Sequence, residues 1–244
     1  MILNAILLAW REIRNNLMRS ALTTLGIVIG VAAVIMMVTL GSGATQSITA
    51  TISSMGHNLL FVTPGQQRHG ETTAAPNFQL ADVDALRRDV GTLSAVVPVG
   101  TASAAAILGN RSHKTSVTGT TNDYFVASER KVVSGRKFTA AEDKSGKAAC
   151  ILGGTVRTEL FGGQDPVGQR IRIDKISCEV IGLLESKGHS TFGEDQDDLV
   201  IMPIRAVQRR LNGNNDVYYI MASVQSAAAI DRAKADMTAI MRER

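Results

Sequence analysis

From Ser20 to Gln67 the sequence has no Asp, Glu, Lys or Arg. A surface helix of a soluble domain needs a polar face, so the apolar part of this stretch is not a helix of that kind. Aromatic residues are scarce, at 4%, and the net charge of +4 is scattered without a dense Lys/Arg face. That composition gives no nucleic-acid-binding surface. The histidines, His57, His69, His113 and His189, never stand three or four residues apart, and none lies near a cysteine in sequence. No metal site is expected from them. No GxxxxGK[ST] phosphate cradle occurs, so this sequence brings no nucleotide site of that type. Ser42 and Ser190 lack both a neighbouring base and a G-x-S-x-G setting. Neither a catalytic constellation nor a cofactor is expected.

What is present begins with Ala21–Gly41, where about twenty residues at 1.5 Å rise match a hydrocarbon core of roughly 30 Å. Its Leu, Ile and Val residues contribute roughly −0.3 to −0.6 kcal/mol each to insertion, with no charge opposing them. The length exceeds the apolar core of a cleaved signal peptide, and the leading segment is long, so a membrane helix is the reading. Arg11, Arg14 and Arg19 precede it against the single acid Glu12. By the positive-inside rule they set the topology: N-terminus in the cytoplasm, everything after Gly41 outside. Within the span, Gly26 and Gly30 form a GxxxG pair, extended by Ala32 and Ala33, that would let another helix approach closely. Met1–Met18 places Ile2, Ile6, Leu7, Trp10, Ile13 and Leu17 on one face, fitting either an amphipathic helix with its arginines at lipid headgroups or a plain extension of the membrane helix.

Beyond the span, Ile48, Ile52 and Met55 recur at helical spacing and allow the helix to continue as a stalk. Strands are expected at Asn58–Thr63, Ala95–Leu108, Lys114–Thr120, Ala148–Leu152, Gln169–Ile173, Ser177–Leu184, Leu199–Met202 and Val217–Val224. The second and third form a hairpin about Gly109-Asn110-Arg111. Helices fit Gln79–Val90, Thr155–Leu160, Ile204–Leu211 and Ala227–Met241, and Gln66–Asn77 reads as a polar loop. Without strict βαβ alternation the class is α+β: one N-terminal transmembrane helix and an extracytoplasmic mixed domain of two subdomains. The segments are 1–20 cytoplasmic, 21–41 transmembrane, 42–56 stalk, 57–226 core domain and 227–244 a C-terminal stalk helix. Cys150 and Cys178 each sit in an apolar run, and buried free thiols are expected unless their Cα atoms come within about 7 Å. The acidic run Glu194–Asp198 lacks the ligand spacing of a calcium loop and reads as a solvated turn. Leu152-Gly153-Gly154-Thr155 reads as a tight strand-to-helix turn rather than an anion nest.

Several local patterns together resemble the MacB-like, FtsX-type permeases of ABC transporters. They include Met18–Ile35, Gly56–Leu60, Gly119–Phe125, Gly135–Thr139, Ile151–Gly153, Leu160–Gly162, Asp165–Gly168, Val180–Gly182 and Phe192–Asp198 leading to Met202-Pro203. The resemblance implies a first membrane helix followed by a large periplasmic core domain. It also implies three later membrane helices, so this chain would be a truncated permease, single-pass in the bacterial inner membrane. Its expected role is non-catalytic: to carry ATP-driven conformational change from a separate ABC ATPase subunit to the periplasmic domain, which helps expel a substrate in efflux. A homodimer, a periplasmic adaptor and an outer-membrane duct are the further partners implied. The competing reading is a single-span anchored binding or scaffold protein without transport activity.

Overall fold

The computed structural model describes residues 14–54, 58–65, 76–190 and 193–243. The chain forms two compact units, residues 1–50 and 51–244. Helix α1, Leu17–Ser54, has 38 residues and opens with the apolar span. Arg11, most of the amphipathic segment, residues 55–57 and most of the loop expected over Gln66–Asn77 lie outside the described residues.

Among its described residues the second unit has nine strands: β1 Leu59–Val62, β2 Leu93–Leu108, β3 Arg111–Thr120, β4 Val132–Gly135, β5 Ala149–Leu152, β6 Arg170–Ile173, β7 Ile176–Leu184, β8 Leu199–Pro203 and β9 Tyr219–Val224. They pair in the order β1-β9-β2-β3-β8-β5-β7-β4, with β6 joined to both β2 and β7. The helices of this unit are α2 Leu80–Asp89, α3 Asp123–Ala127, α4 Ala140–Ser145, α5 Gly154–Phe161, α6 Ile204–Val207 and α7 Ile230–Glu243. The mixed α+β class holds. Sequence periodicity missed the short elements α3, β4 and α4, which lack the unbroken apolar or alternating run that marked strands of the same length such as β5 and β6.

Two lobes share the long strand β2. Its first part, Leu93–Val99, pairs with β9, and β9 pairs with β1, giving a three-stranded antiparallel sheet. Helices α2 and α7 cover one face of this sheet, burying Val83, Leu86, Val90 and Met237 against Val96, Ile220 and Ala222. The other face carries Val97, Val99 and Met221, covered in part by Ala127 of α3.

The remainder of β2 pairs with β3 through a two-residue turn, Gly109-Asn110, with Leu108 opposite Arg111. From β3 the pairing runs to β8, β5, β7 and β6, and β6 returns to β2 at Ala106 and Ile107. The result is a closed six-stranded ring, which leaves most of these strands no free edge. Alternate residues point inward, among them Ala106, Val117, Leu152, Ile173, Val180 and Met202, and α5 adds Val156 and Leu160 to this core. Strands β5 and β8 are buried on both faces, since Ala149, Ile151, Leu199 and Ile201 pack outward on Phe125 and Phe138. This explains their unbroken apolar sequences.

The cysteines correct the sequence expectation. Cys150 on β5 and Cys178 on β7 lie on adjacent strands inside the ring with Cα atoms 6.0 Å apart, and they form a disulfide. Apolar surroundings pointed to free thiols, but the parallel pairing of β5 with β7 brings the two inward positions together. Sequence spacing holds no trace of that pairing.

Candidate functional site

Two regions carry the features that bear on function, and each is built locally. In α1 the segment Leu17–Ser42 is long and apolar enough to cross a membrane. Every Leu, Ile, Val and Met side chain from Leu17 to Leu40 is more than half exposed, on all sides of the helix. A surface of that kind is stable only against lipid or other apolar helices. The threonine hydroxyls do not oppose burial in lipid, because all three are satisfied within the helix. Thr23 donates to the carbonyl oxygen of Arg19 at 2.9 Å, Thr24 to that of Ser20 at 2.8 Å and Thr39 to that of Ile35 at 2.7 Å. Gly26 and Gly30 stand one turn apart on this helix, and a Cβ at either position would meet nothing within 4 Å. Arg19 lies in the first turn of α1, and Arg14 just precedes that helix.

In the domain, the acidic run is not a solvated turn. Asp197 is buried, and its carboxylate accepts hydrogen bonds from the Ser186 hydroxyl and from the backbone N–H groups of Lys187 and Gly188, both at 2.9 Å. Asp195 accepts from the Thr155 hydroxyl at 2.6 Å, and that bond holds its carboxyl below the usual range. Asp198 pairs with His113 Nε2 at 2.9 Å. Three acids thus tie the loop before β8 to β3, to α5 and to the segment after β7. Composition alone reads such a run as exposed, because Asp is seldom buried unless its partners are present, and here those partners are hydroxyls, a histidine ring and backbone amides that the fold brings to the loop.

The loop also explains Gly153. A Cβ there would stand 2.2 Å from the carbonyl oxygen of Asp197, so the position admits only glycine. The Thr155 N–H donates to that same carbonyl at 3.3 Å. The amides at the start of α5 are therefore partly used by the protein itself, which fits a tight turn better than an anion nest.

A second cluster lies near α4. Thr139 and Glu142 form a reciprocal capping box, and Glu142 also takes a two-pronged contact from Arg136, at 2.7 and 3.0 Å. Bonding to Arg136, helped by the Thr139 N–H and hydroxyl, lowers the Glu142 pKa from 4.5 to about 2 against the opposing effect of burial. The sequence T-A-A-E carried this signal, a threonine followed three residues later by glutamate.

An opening of about 1060 Å³ lies between β1 with its following residues and α7, and is lined by Leu60, Val62, Phe78, Met237 and Met241. Lys234, Arg242, Asp82 and Asp231 add charged groups to its walls. Among the described residues no group of three or more His, Cys, Asp or Glu could hold a metal ion.

Against known proteins, the sequence profile described as the MacB-like periplasmic core domain matches residues 20–240. The chain belongs to the MacB-like periplasmic core domain family. Among curated relatives, it is similar to the macrolide export ATP-binding/permease protein MacB of Azoarcus sp. (strain BH72), at 37% identity over 96% of this chain and 35% of that protein. The protein of the same description from Rhodospirillum rubrum is 34% identical over 98% of this chain and 37% of its own length. The chain thus spans about a third of these relatives. Among solved structures, the periplasmic region of MacB from Actinobacillus actinomycetemcomitans aligns with a TM-score of 0.66 at 18% identity, covering 79% of this chain and 86% of that one. The extracellular domain of the noncanonic ABC-type transporter YknZ from Gram-positive bacteria aligns with the same score at 22% identity, covering 76% and 94%. These likenesses carry the fold of the extramembrane unit.

Proposed function

We propose that this chain is the first membrane helix and extracytoplasmic domain of an ABC-type permease of the MacB/FtsX class. ATP hydrolysis on a separate ABC ATPase subunit drives a conformational change that the membrane helix passes to the MacB-like domain, and the moving domain helps expel a substrate. The observation that carries this reading is the profile match, which runs from the apolar span through both lobes without a break. The continuity of α1 through 38 residues supports it, since a helix with an intact hydrogen-bond ladder resists bending and serves as a lever. Gly26 and Gly30 supply the face on which a second membrane helix, from a homodimer partner or another permease helix, packs.

The N-in, C-out orientation is supported by Arg14 and Arg19 before the span and by the Cys150–Cys178 disulfide, because such bonds persist in oxidising compartments outside the cytoplasm. A periplasmic adaptor and an outer-membrane duct complete the proposed path.

The test co-expresses the full chain with its ABC ATPase and measures ATP hydrolysis by the co-purified complex in nanodiscs. Gly26→Leu and Gly30→Leu are expected to leave the domain folded and to change the hydrolysis rate. Failure of the ATPase to co-purify favours the anchored-scaffold reading instead. Protease added to intact spheroplasts is expected to cut the domain, whereas cutting only after lysis overturns the orientation.

A further inference from the structure

Strand β2 changes partners in mid-length. Through Val99 it pairs with β9, and from Gly100 onward with β3. At the changeover Gly100 stands directly opposite Gly119, and the short helix α6 lies across the pair. A Cβ on Gly119 would come within 2.7 Å of the Val207 Cβ, closer than two carbons approach, whereas one on Gly100 would meet only the movable Ile204 Cδ1 at 3.0 Å. The changeover is therefore shaped to receive α6.

That helix has one root in each lobe. It follows directly from β8 at Pro203, whose ring fixes φ and sets the exit direction, and its Ala206 and Val207 belong to the core of the ring. At its other end it widens into a single π turn, Gln208–Asn212, closed by Gly213. Gln208 is 2% exposed, and its amide donates to the carbonyl oxygens of Asn215 at 2.8 Å and Asp216 at 3.1 Å. The Asp216 carboxylate in turn accepts from the side-chain amides of Asn77 and Asn214, both at 2.9 Å. The next residues join the sheet lobe, with the Val217 N–H donating to Phe78 at 2.7 Å and the Tyr218 N–H to Val99 at 2.8 Å. Asn212 also reaches back to the Thr101 carbonyl at 3.3 Å, just past the changeover.

We propose that Ile204–Asn212 is a lock on the angle between the sheet lobe and the ring, with Gln208 as its fastening. A strand that leaves one sheet and enters another is free to bend at the step, and two facing glycines offer no side chains to stiffen it. The α6 segment removes that freedom by filling the notch and tying both sides. A π turn carries one residue more than the α-helix it interrupts, so losing its fastening lets the segment re-register and the angle relax. Motion delivered to the sheet lobe then reaches the ring undiminished. This use rests on the permease reading, but the lock itself does not.

The test uses the full chain in detergent with Ala81→Cys on α2 and Ser112→Cys on β3, both exposed, spin-labelled for distance measurement. The native pair of cysteines is bridged and buried and takes no label. With Gln208 intact a single narrow distance distribution is expected. Gln208→Met keeps the side-chain volume, removes both donors, and is expected to broaden that distribution or add a second distance. Asp216→Ala, which cuts the tie to Asn77 without touching the core, is expected to do the same to a smaller degree and stands in if Gln208→Met fails to fold. Ile173→Val, a comparable loss of stability in the core of the ring, is expected to leave the distribution unchanged. An unaltered distribution in both lock variants overturns the proposal, as does equal broadening in Ile173→Val. Either result is read without ATP, so it is separable from loss of the ATPase in the permease test.

Discussion

The two lobes of the domain solve the problem of a small core in different ways. The ring closes its strands on themselves, buries β5 and β8 on both faces and carries a disulfide through its interior. The sheet lobe has three strands, depends on α2 and α7 for its cover, and ends on β1, an apolar edge strand whose Phe61 is 55% exposed. The opposite edge, β4, is guarded by Lys131 and Arg136 at its ends and by a register shift, whereas β1 is flanked in sequence by the uncharged Asn58 and Thr63. Closure gives a lobe that holds its shape alone, while an open sheet relies on the elements that roof it.

The comparison is broken most forcefully at the disulfide. Replacing Cys150 and Cys178 by Ala, or adding reductant, is expected to cost about 3.5 kcal/mol for a loop of 28 residues. Hydrogen exchange is expected to show the loss in β5–β8 and not in α2 or α7. Equal loss in both lobes means that they unfold as one unit.

The matching blow to the open lobe is Leu86→Ala. This side chain is fully buried between α2 and the sheet, and its truncation is expected to cost about 3 kcal/mol. Chemical denaturation followed by exchange should show α2, α7 and β1 loosened while the ring keeps its protection.

A smaller effect sharpens the contrast at the margin of the ring. Glu142 titrates at about 2 instead of 4.5, so its ion pair with Arg136 stabilises the fold fully above the unfolded value and is lost as pH falls from about 4.5 towards 2. Because Arg136 is half exposed, solvent screening reduces the contribution to about 2 kcal/mol. Glu142→Gln is expected to flatten the acid limb of a stability-against-pH curve by that amount. A slope unchanged in the variant removes Glu142 from the account.

The strongest sequence signals were those carried by unbroken runs. The apolar span needed only length and absence of charge, and the β2–β3 hairpin needed only Gly109-Asn110 between two β-rich segments. Thr139 and Glu142 offered a capping signal that periodicity alone passed over. Asp197 offered none, because its partners Ser186, Lys187 and Gly188 are brought to it by the return of the chain from β7 to β8.

Local chemistry by itself determined the apolar helix, most of the strands and the α+β class, since each depends on the side-chain period or the solvent preference of one segment. Only tertiary structure decided that β6 closes a ring on β2, that Cys150 meets Cys178, and that α6 sits over Gly100 and Gly119. Those outcomes turn on which distant strands pair and in what register, and a pattern that repeats every second residue says which face a side chain takes but not which strand lies beside it.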